Sequence, residues 1–208
     1  MTDPKNMKAA LFDLDGVLVD TEGIYTEFWS AMDRLYPTGV PGFSMVIKGS
    51  TLDTILNTYF PDKAIQDDIV VRLKEFERTM PYRMFPGVPE LLKRLRDRGF
   101  KIAIVTSSNL LKMKNLFVQL PELEKMVDIV ITDEDVTRSK PDPQGYLLAA
   151  ERLGVPAEDC YIFEDSLNGL RAARAAGGTV VGITTTNPES AVAPLADIVL
   201  GNAAELNV

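Results

Sequence analysis

The amino-acid sequence predicts an α/β fold, a doubly wound parallel sheet with an all-helical segment inserted after its first strand. Three observations predict it. Short apolar runs bounded by turn residues recur along the chain, amphipathic segments of helical spacing separate them, and between residues 21 and 84 the alternation stops, leaving helical patterns with no strong strand. Apolar runs this short and unbroken read as strands buried on both faces. Strand alternating with helix implies βαβ units, and hence a parallel sheet covered on both sides.

The first run, residues 8–12, opens the core. The insert then reads as helices over 22–35, 51–59 and 62–80, with Pro37, Gly39, Pro41 and Gly42 punctuating the loop after the first. We assign residues 1–20 and 85–208 to the α/β core and 21–84 to the insert. The core resumes with a helix over 88–98, whose Leu91, Leu92 and Leu95 share one face and whose stop signal is Gly99. A second strand over 101–105 leads to a helix over 110–120, and a third strand covers 128–131. A helix over 143–153 begins with Pro143 and ends at Gly154. A fourth strand over 160–163 precedes a helix that Ser166 can cap and Gly177 closes. A fifth strand covers 179–183, and a weaker sixth 197–200.

Composition narrows the function. A chain of 208 residues, 46% hydrophobic and 25% charged, suits one sizeable soluble domain or a core with a small insert. A net charge of −8 argues against a nucleic-acid binder, which needs a basic face. Anionic substrates remain open, because a bound cation and one or two lysines reverse the sign locally. No apolar stretch approaches the roughly 18 residues of a membrane span, and residues 1–8 hold no apolar signal segment, so no membrane partner is expected. The single cysteine, Cys160, forms no intrachain disulfide and fits a reducing cytoplasm. The absence of histidine removes Ser-His-Asp triads, His-ligated zinc and phospho-histidine chemistry together, leaving acid–base work to carboxylates, Lys, Tyr or Cys.

Ligands of open parallel sheets bind beyond the carboxyl ends of the strands. After the first run comes Asp13-Leu14-Asp15-Gly16, and after the second Thr106-Ser107-Ser108-Asn109. After the third come Asp133, Glu134 and Asp135, then Lys140-Pro141-Asp142-Pro143; after the fourth comes Glu164-Asp165-Ser166. Asp13, Asp15, Glu164 and Asp165 would crowd one space, and a divalent cation with oxygen ligands offsets their repulsion, which points to Mg²⁺. Lys140 and Thr106 add donors suited to a phosphoryl group. Asp13 can attack phosphorus as nucleophile, while Asp15 protonates the leaving group and then takes a proton from the hydrolytic water.

These segments resemble the haloacid dehalogenase superfamily, specifically its phosphatase and β-phosphoglucomutase-like branch. The stretch from Phe12-Asp13-Leu14-Asp15-Gly16 through Thr21-Glu22 is similar to that branch's first motif. Thr106, Lys140 and Glu164-Asp165-Ser166 with Asn168-Gly169 match the second, third and fourth motifs in the right order. The resemblance implies a Rossmann-like core, with the insert as a small helical cap that closes over a small phosphorylated metabolite. It also implies that Asp13 is nucleophile and Mg²⁺ ligand, and that Asp15 is acid/base and a ligand through its carbonyl. Asp165 becomes a direct ligand and Glu164 one directly or through water, and Thr106, the Ser107 backbone and Lys140 hold the phosphate. Lys48, Gly49 and Ser50 fall where this branch places its specificity loop; with Tyr25, Asn109 and Asn168 they are candidate substrate or cap contacts.

Two departures and a milder third qualify the resemblance. Tyr25 stands where the mutase pattern has His, and Ser50, Thr51 and Leu52 follow Gly49 where the mutase carries Arg, so hydrolysis is expected over phosphomutation. Asp15 argues against dehalogenation, and Ser139 replaces the usual Gly before the lysine. Receiver domains that store a phosphoryl on Asp use similar residues, but they lack the helical insert and the second aspartate. Asp133, Glu134 and Asp135 read as a solvated loop with first-turn caps. Cys160 reads as an inert core residue, and Phe28 and Trp29 as core of the insert. A self-sufficient capped core makes a monomer the default. The substrate itself is not legible.

Overall fold

The computed structural model describes residues 7–207, so the first six residues of the polar stretch 1–8 and the final residue of the assigned core lie outside the described residues. Those described form a six-stranded sheet in the order β3-β2-β1-β4-β5-β6. The strands are β1 (Ala9–Phe12), β2 (Lys101–Val105), β3 (Ile129–Ile131), β4 (Cys160–Glu164), β5 (Thr179–Ile183) and β6 (Ile198–Leu200). All neighbours pair in parallel, with Phe12 opposite Ile104 on one side and Phe163 on the other. The chain builds outward from β1 in one direction, returns, and builds outward in the other. That reversal beside β1 is where a crevice opens at the carboxyl ends of the strands.

The apolar runs are continuous because each strand is covered twice. Ala10, Phe12, Ile102, Ile104, Phe163 and Val181 face a core with Leu91, Leu92 and Leu95 of α5 (Val88–Asp97) and Met113 and Leu116 of α6 (Leu110–Gln119). Ala9, Leu11, Ala103, Val105, Ile162 and Val180 face the other side, packed on α8 (Gln144–Leu153) and α9 (Leu167–Ala176). Alternate residues of one strand thus go to opposite cores, as the two-residue pleat requires.

Between β1 and α5 lie α1 (Glu22–Leu35), α2 (Phe43–Val46), α3 (Leu52–Tyr59) and α4 (Lys63–Thr79). They bury a cluster of their own, centred on Phe28, Trp29, Met32, Phe43, Ile55, Ile69 and Leu73. The three longer helices follow the 3.6-residue pattern of their apolar positions. The short α2, and α7 (Pro121–Met126) in the core, were not anticipated: four and six residues are too few to display a period. The chain leaves and re-enters the core side by side. Val19 bridges Met84 antiparallel, and the amides of Asp20 and Phe85 donate to the carbonyls of Arg83 and Leu18 at 2.9 and 3.0 Å. No helix of the described residues is long and apolar enough to cross a membrane.

Candidate active site

Asp13 follows β1 directly, and its amide continues the ladder by donating to the Phe163 carbonyl at 3.0 Å. Its carboxylate therefore projects from the centre of the sheet at the strand reversal. Thr106 ends β2 in the same way, and Glu164 and Asp165 end β4. Lys140 reaches in from the loop after β3. Its ammonium, 5.2 Å from the Tyr146 ring centroid, donates to Asp13 Oδ1 at 2.6 Å, to the Val105 carbonyl at 3.2 Å, and to Glu164 Oε1. Glu164 is wholly buried and also accepts from the Tyr146 hydroxyl at 2.6 Å and the Ser166 hydroxyl at 3.1 Å.

One carboxylate oxygen each from Asp13, Glu164 and Asp165 lie within 4.8 Å of one another, and all three residues are buried. Such a group is costly in its charged form. Burial pushes the Asp13 carboxyl up to about 8, even with Lys140 opposing, and Glu164 and Asp15 add to the rise. Asp165 is raised well above the ordinary carboxylate value by burial and by the charges of Glu22, Asp13 and Glu164. Burial opposes the charge of Lys140 too, but Asp13 and Glu164 hold its pKa above the ordinary lysine value. One ammonium against three carboxylates leaves the cluster short of positive charge, and oxygen-only donors in that arrangement suit a hard divalent cation. The backbone makes room for it: Gly16 has φ +80°, and a Cβ there would stand 2.0 Å from Asp165 Oδ2.

Asp15 is not part of that cluster. Its Oδ2 accepts from the Lys112 ammonium at 2.5 Å and the Ser108 hydroxyl at 3.2 Å, and its Oδ1 from the Thr21 hydroxyl. Two aspartates one residue apart are thus held in different company, one on Lys140 in the floor and the other on Lys112 towards the insert. The Lys112 ammonium also lies 4.3 Å from the centre of the Tyr25 ring.

The sequence-predicted residues converge on one cleft of about 130 Å³, several times the roughly 30 Å³ of a water, so it admits a small molecule. Asp13, Asp15, Thr106, Ser107, Asn109 and Asp165 line it from the core, and Tyr25, Lys48, Gly49 and Ser50 from the insert. Lys140 and Glu164 stand behind that lining, as the buried support of Asp13. The Asn109 side chain caps α6 by accepting from the Lys112 amide at 2.9 Å. Asn168 lies outside the cleft wall, its amide 3.5 Å from the Lys48 carbonyl. The Ser107 hydroxyl donates to the Gly49 carbonyl at 3.1 Å, which joins insert to core across the cleft. Gly49 has φ +77°, and a Cβ there would come within 2.6 Å of Ser166 Oγ, so the close approach needs glycine.

Several residues at the site escaped sequence reasoning. Lys112 lies on a helix read only for its span, and its signal is retrospective: a carboxylate at Asp15 needs a cation. Thr185, Thr186 and Asn187 follow β5, a strand end that offered no charged group. The Thr186 hydroxyl donates to Asp165 Oδ2, the Asn187 amide to the Asp165 carbonyl at 2.9 Å, and the Thr185 hydroxyl to the Gly16 carbonyl at 2.5 Å. Asp133 is not a solvated loop residue. It lines the cleft half-buried, its Oδ1 has no hydrogen-bond partner among the described residues, and burial with the neighbouring Glu134 pushes its carboxyl up to about 7. Asp135 does cap its turn, accepting from the Thr132 amide at 3.0 Å.

Residues 7–177 match the family model of haloacid dehalogenase-like hydrolases. A validoxylamine A 7'-phosphate phosphatase of Streptomyces hygroscopicus subsp. limoneus is 32% identical, covering 96% of this chain and 95% of its own. A β-phosphoglucomutase of Mycobacterium bovis is 31% identical over 98% of this chain and 92% of its own. Among solved structures, a hydrolase from Pseudomonas syringae superposes with a TM-score of 0.82 at 21% identity, covering 96% of each chain, which speaks to the fold.

Proposed function

The chain belongs to the haloacid dehalogenase-like hydrolases, in their branch of phosphatases and phosphomutases, and on that premise we propose that it is a Mg²⁺-dependent phosphatase of small phosphorylated metabolites acting through an aspartyl-phosphate on Asp13. The observation that carries this reading is the separation of two aspartates. Asp13 lies among buried carboxylates with Lys140, and Asp15 is paired separately with Lys112.

Asp13 attacks phosphorus, forming the acyl-phosphate bond as the ester P–O bond breaks. Asp15 delivers its proton to the departing alkoxide and then removes one from the incoming water. That water attacks the same phosphorus, releasing phosphate and restoring the Asp13 carboxylate. We assign Thr106, the Ser107 amide and Lys140, which reaches in beside Asp13, to hold the phosphoryl oxygens through both displacements. Asp13, Asp165, Glu164 and the Asp15 carbonyl would hold Mg²⁺, whose charge neutralises phosphoryl oxygens and carboxylates together. We assign residues 21–84 the role of a cap that excludes bulk water and contacts the leaving group.

The reading favours hydrolysis over phosphomutation because Tyr25, at the position of the mutase histidine, commits its hydroxyl to Glu77 at 2.8 Å. The test is phosphate release from a panel of metabolite monoesters and p-nitrophenyl phosphate, with Mg²⁺ and with chelator. Wild type should release phosphate only with the metal, and Asp13→Ala and Asp15→Ala should lose turnover by about 10³-fold or more. Undiminished turnover in Asp13→Ala would sink the proposal.

A further inference from the structure

Glu77 belongs to α4 of the insert, far in sequence from every motif residue, and it lines the same cleft as Asp13 and Asp15. It is 4% exposed. Its Oε1 accepts from the Tyr25 hydroxyl, but its Oε2 has no hydrogen-bond partner among the described residues. Buried acceptors without a donor are rare in folded proteins, and one on a residue that lines a ligand cleft can be satisfied by a donor that the ligand supplies. Burial also raises its pKa above the ordinary glutamate value.

The rest of the cleft says what kind of donor. The two lysines that reach it are both paired, Lys48 with Glu22 and Lys112 with Asp15. A second phosphate on the substrate would find no uncommitted cation there among the described residues and would meet the charges of Glu22 and Glu77. The remaining insert wall is mostly apolar, with Trp29, Ile47, Ile55 and Leu73 beside the hydroxyls of Thr26 and Ser44. A leaving group with C–H faces for that wall and a hydroxyl for Glu77 fits both surfaces.

Building on the phosphatase reading, we propose that Glu77, oriented by Tyr25, is the specificity-determining acceptor for a hydroxyl of the leaving group, selecting monophosphates of polyhydroxylated alcohols and rejecting bisphosphates. The donor hydroxyl satisfies Oε2, and the carboxylate's charge repels a second phosphoryl group.

The experiment uses the full chain with Mg²⁺ and compares p-nitrophenyl phosphate, a set of hexose, pentose and hexitol monophosphates, and hexose bisphosphates. In Glu77→Leu, the ratio of kcat/KM for the best hydroxylated monoester to that for p-nitrophenyl phosphate should fall about tenfold or more. Glu77→Gln keeps an acceptor oxygen and the side-chain volume without the charge, so the bisphosphate-to-monophosphate ratio should rise in it, and that arm stands if the leucine variant does not fold. Unmoved ratios in both variants overturn the assignment. So does a wild type that turns over p-nitrophenyl phosphate but no hydroxylated monoester, in which case the phosphatase reading survives. Wild type inert toward every ester overturns both.

Discussion

Asp133 shows how a single side chain can carry a penalty in exchange for its place beside a cleft. Its carboxyl titrates near 7 in the folded chain, because of burial first and Glu134 second, against an ordinary value of 3.8. Between these values the folded chain keeps a proton that the unfolded chain has released, so lowering the pH favours the folded state. The relief is complete below 3.8 and gone above about 7. Replacing Asp133 with Asn removes the titration, so the melting temperature of the variant should exceed that of wild type by more at pH 8 than at pH 5; a pH-independent difference in differential scanning fluorimetry would contradict this. The same scale explains which site residues were legible. Asp13, Asp15, Thr106, Lys140, Glu164 and Asp165 follow strand ends, so sequence position alone sends them to one rim. Glu77 and Lys112 reach the site only because α4 and α6 pack across the cleft. Nothing in a lysine on a mostly apolar helix, or a glutamate on a charged one, distinguishes such residues from solvated neighbours.

At the scale of elements, the turn that ends β1 is the most constrained feature of the site. The Gly16 amide donates to the Val19 carbonyl at 2.9 Å, and those of Leu18 and Val19 return to Leu14 at 2.9 and 3.0 Å, so the chain reverses within a few residues of the nucleophile. That reversal puts Gly16 at φ +80° against the Asp165 carboxylate. Gly16→Ala should cost about 1–2 kcal/mol for the left-handed backbone alone. The melting temperature should fall by about 2–4 °C for each of these, and phosphatase activity should fall with it because the added methyl displaces Asp165. Unchanged melting and turnover would mean that the turn relaxes freely. The strands themselves were readable to within a residue or so, since burial on two faces leaves unbroken apolar runs. The glycine stops at Gly154 and Gly177 were equally readable, both lying at φ > 0 as helix ends require. The short α2 and α7 were not, because their placement comes from what covers them: Phe43 is buried by the insert and Leu123 by the core.

For the molecule as a whole, the sheet order sets the electrostatics. Reversing the direction of strand addition beside β1 brings the ends of β1 and β4 together, and with them Asp13, Glu164 and Asp165. A chain already at net −8 concentrates three buried carboxylates against one lysine at that point. The core is otherwise well supplied with apolar contacts on both faces of the sheet, so this cluster is a local cost that a bound dication can offset. Mg²⁺ should therefore stabilise the folded chain, which would bind it at a formed site, over the unfolded chain, in which Asp13 is far from the adjacent Glu164 and Asp165. Saturation at about a hundred times the dissociation constant is worth about 2.7 kcal/mol, or about 5–11 °C in melting temperature for a chain of this size. Chelator should reverse the gain, and Asp165→Asn, which removes one ligand charge, should shrink it. Because unfolding is measured in the absence of substrate, the result bears on metal binding alone. Superimposable melts of wild type with Mg²⁺ and with chelator would mean that Lys140 suffices to hold the cluster together.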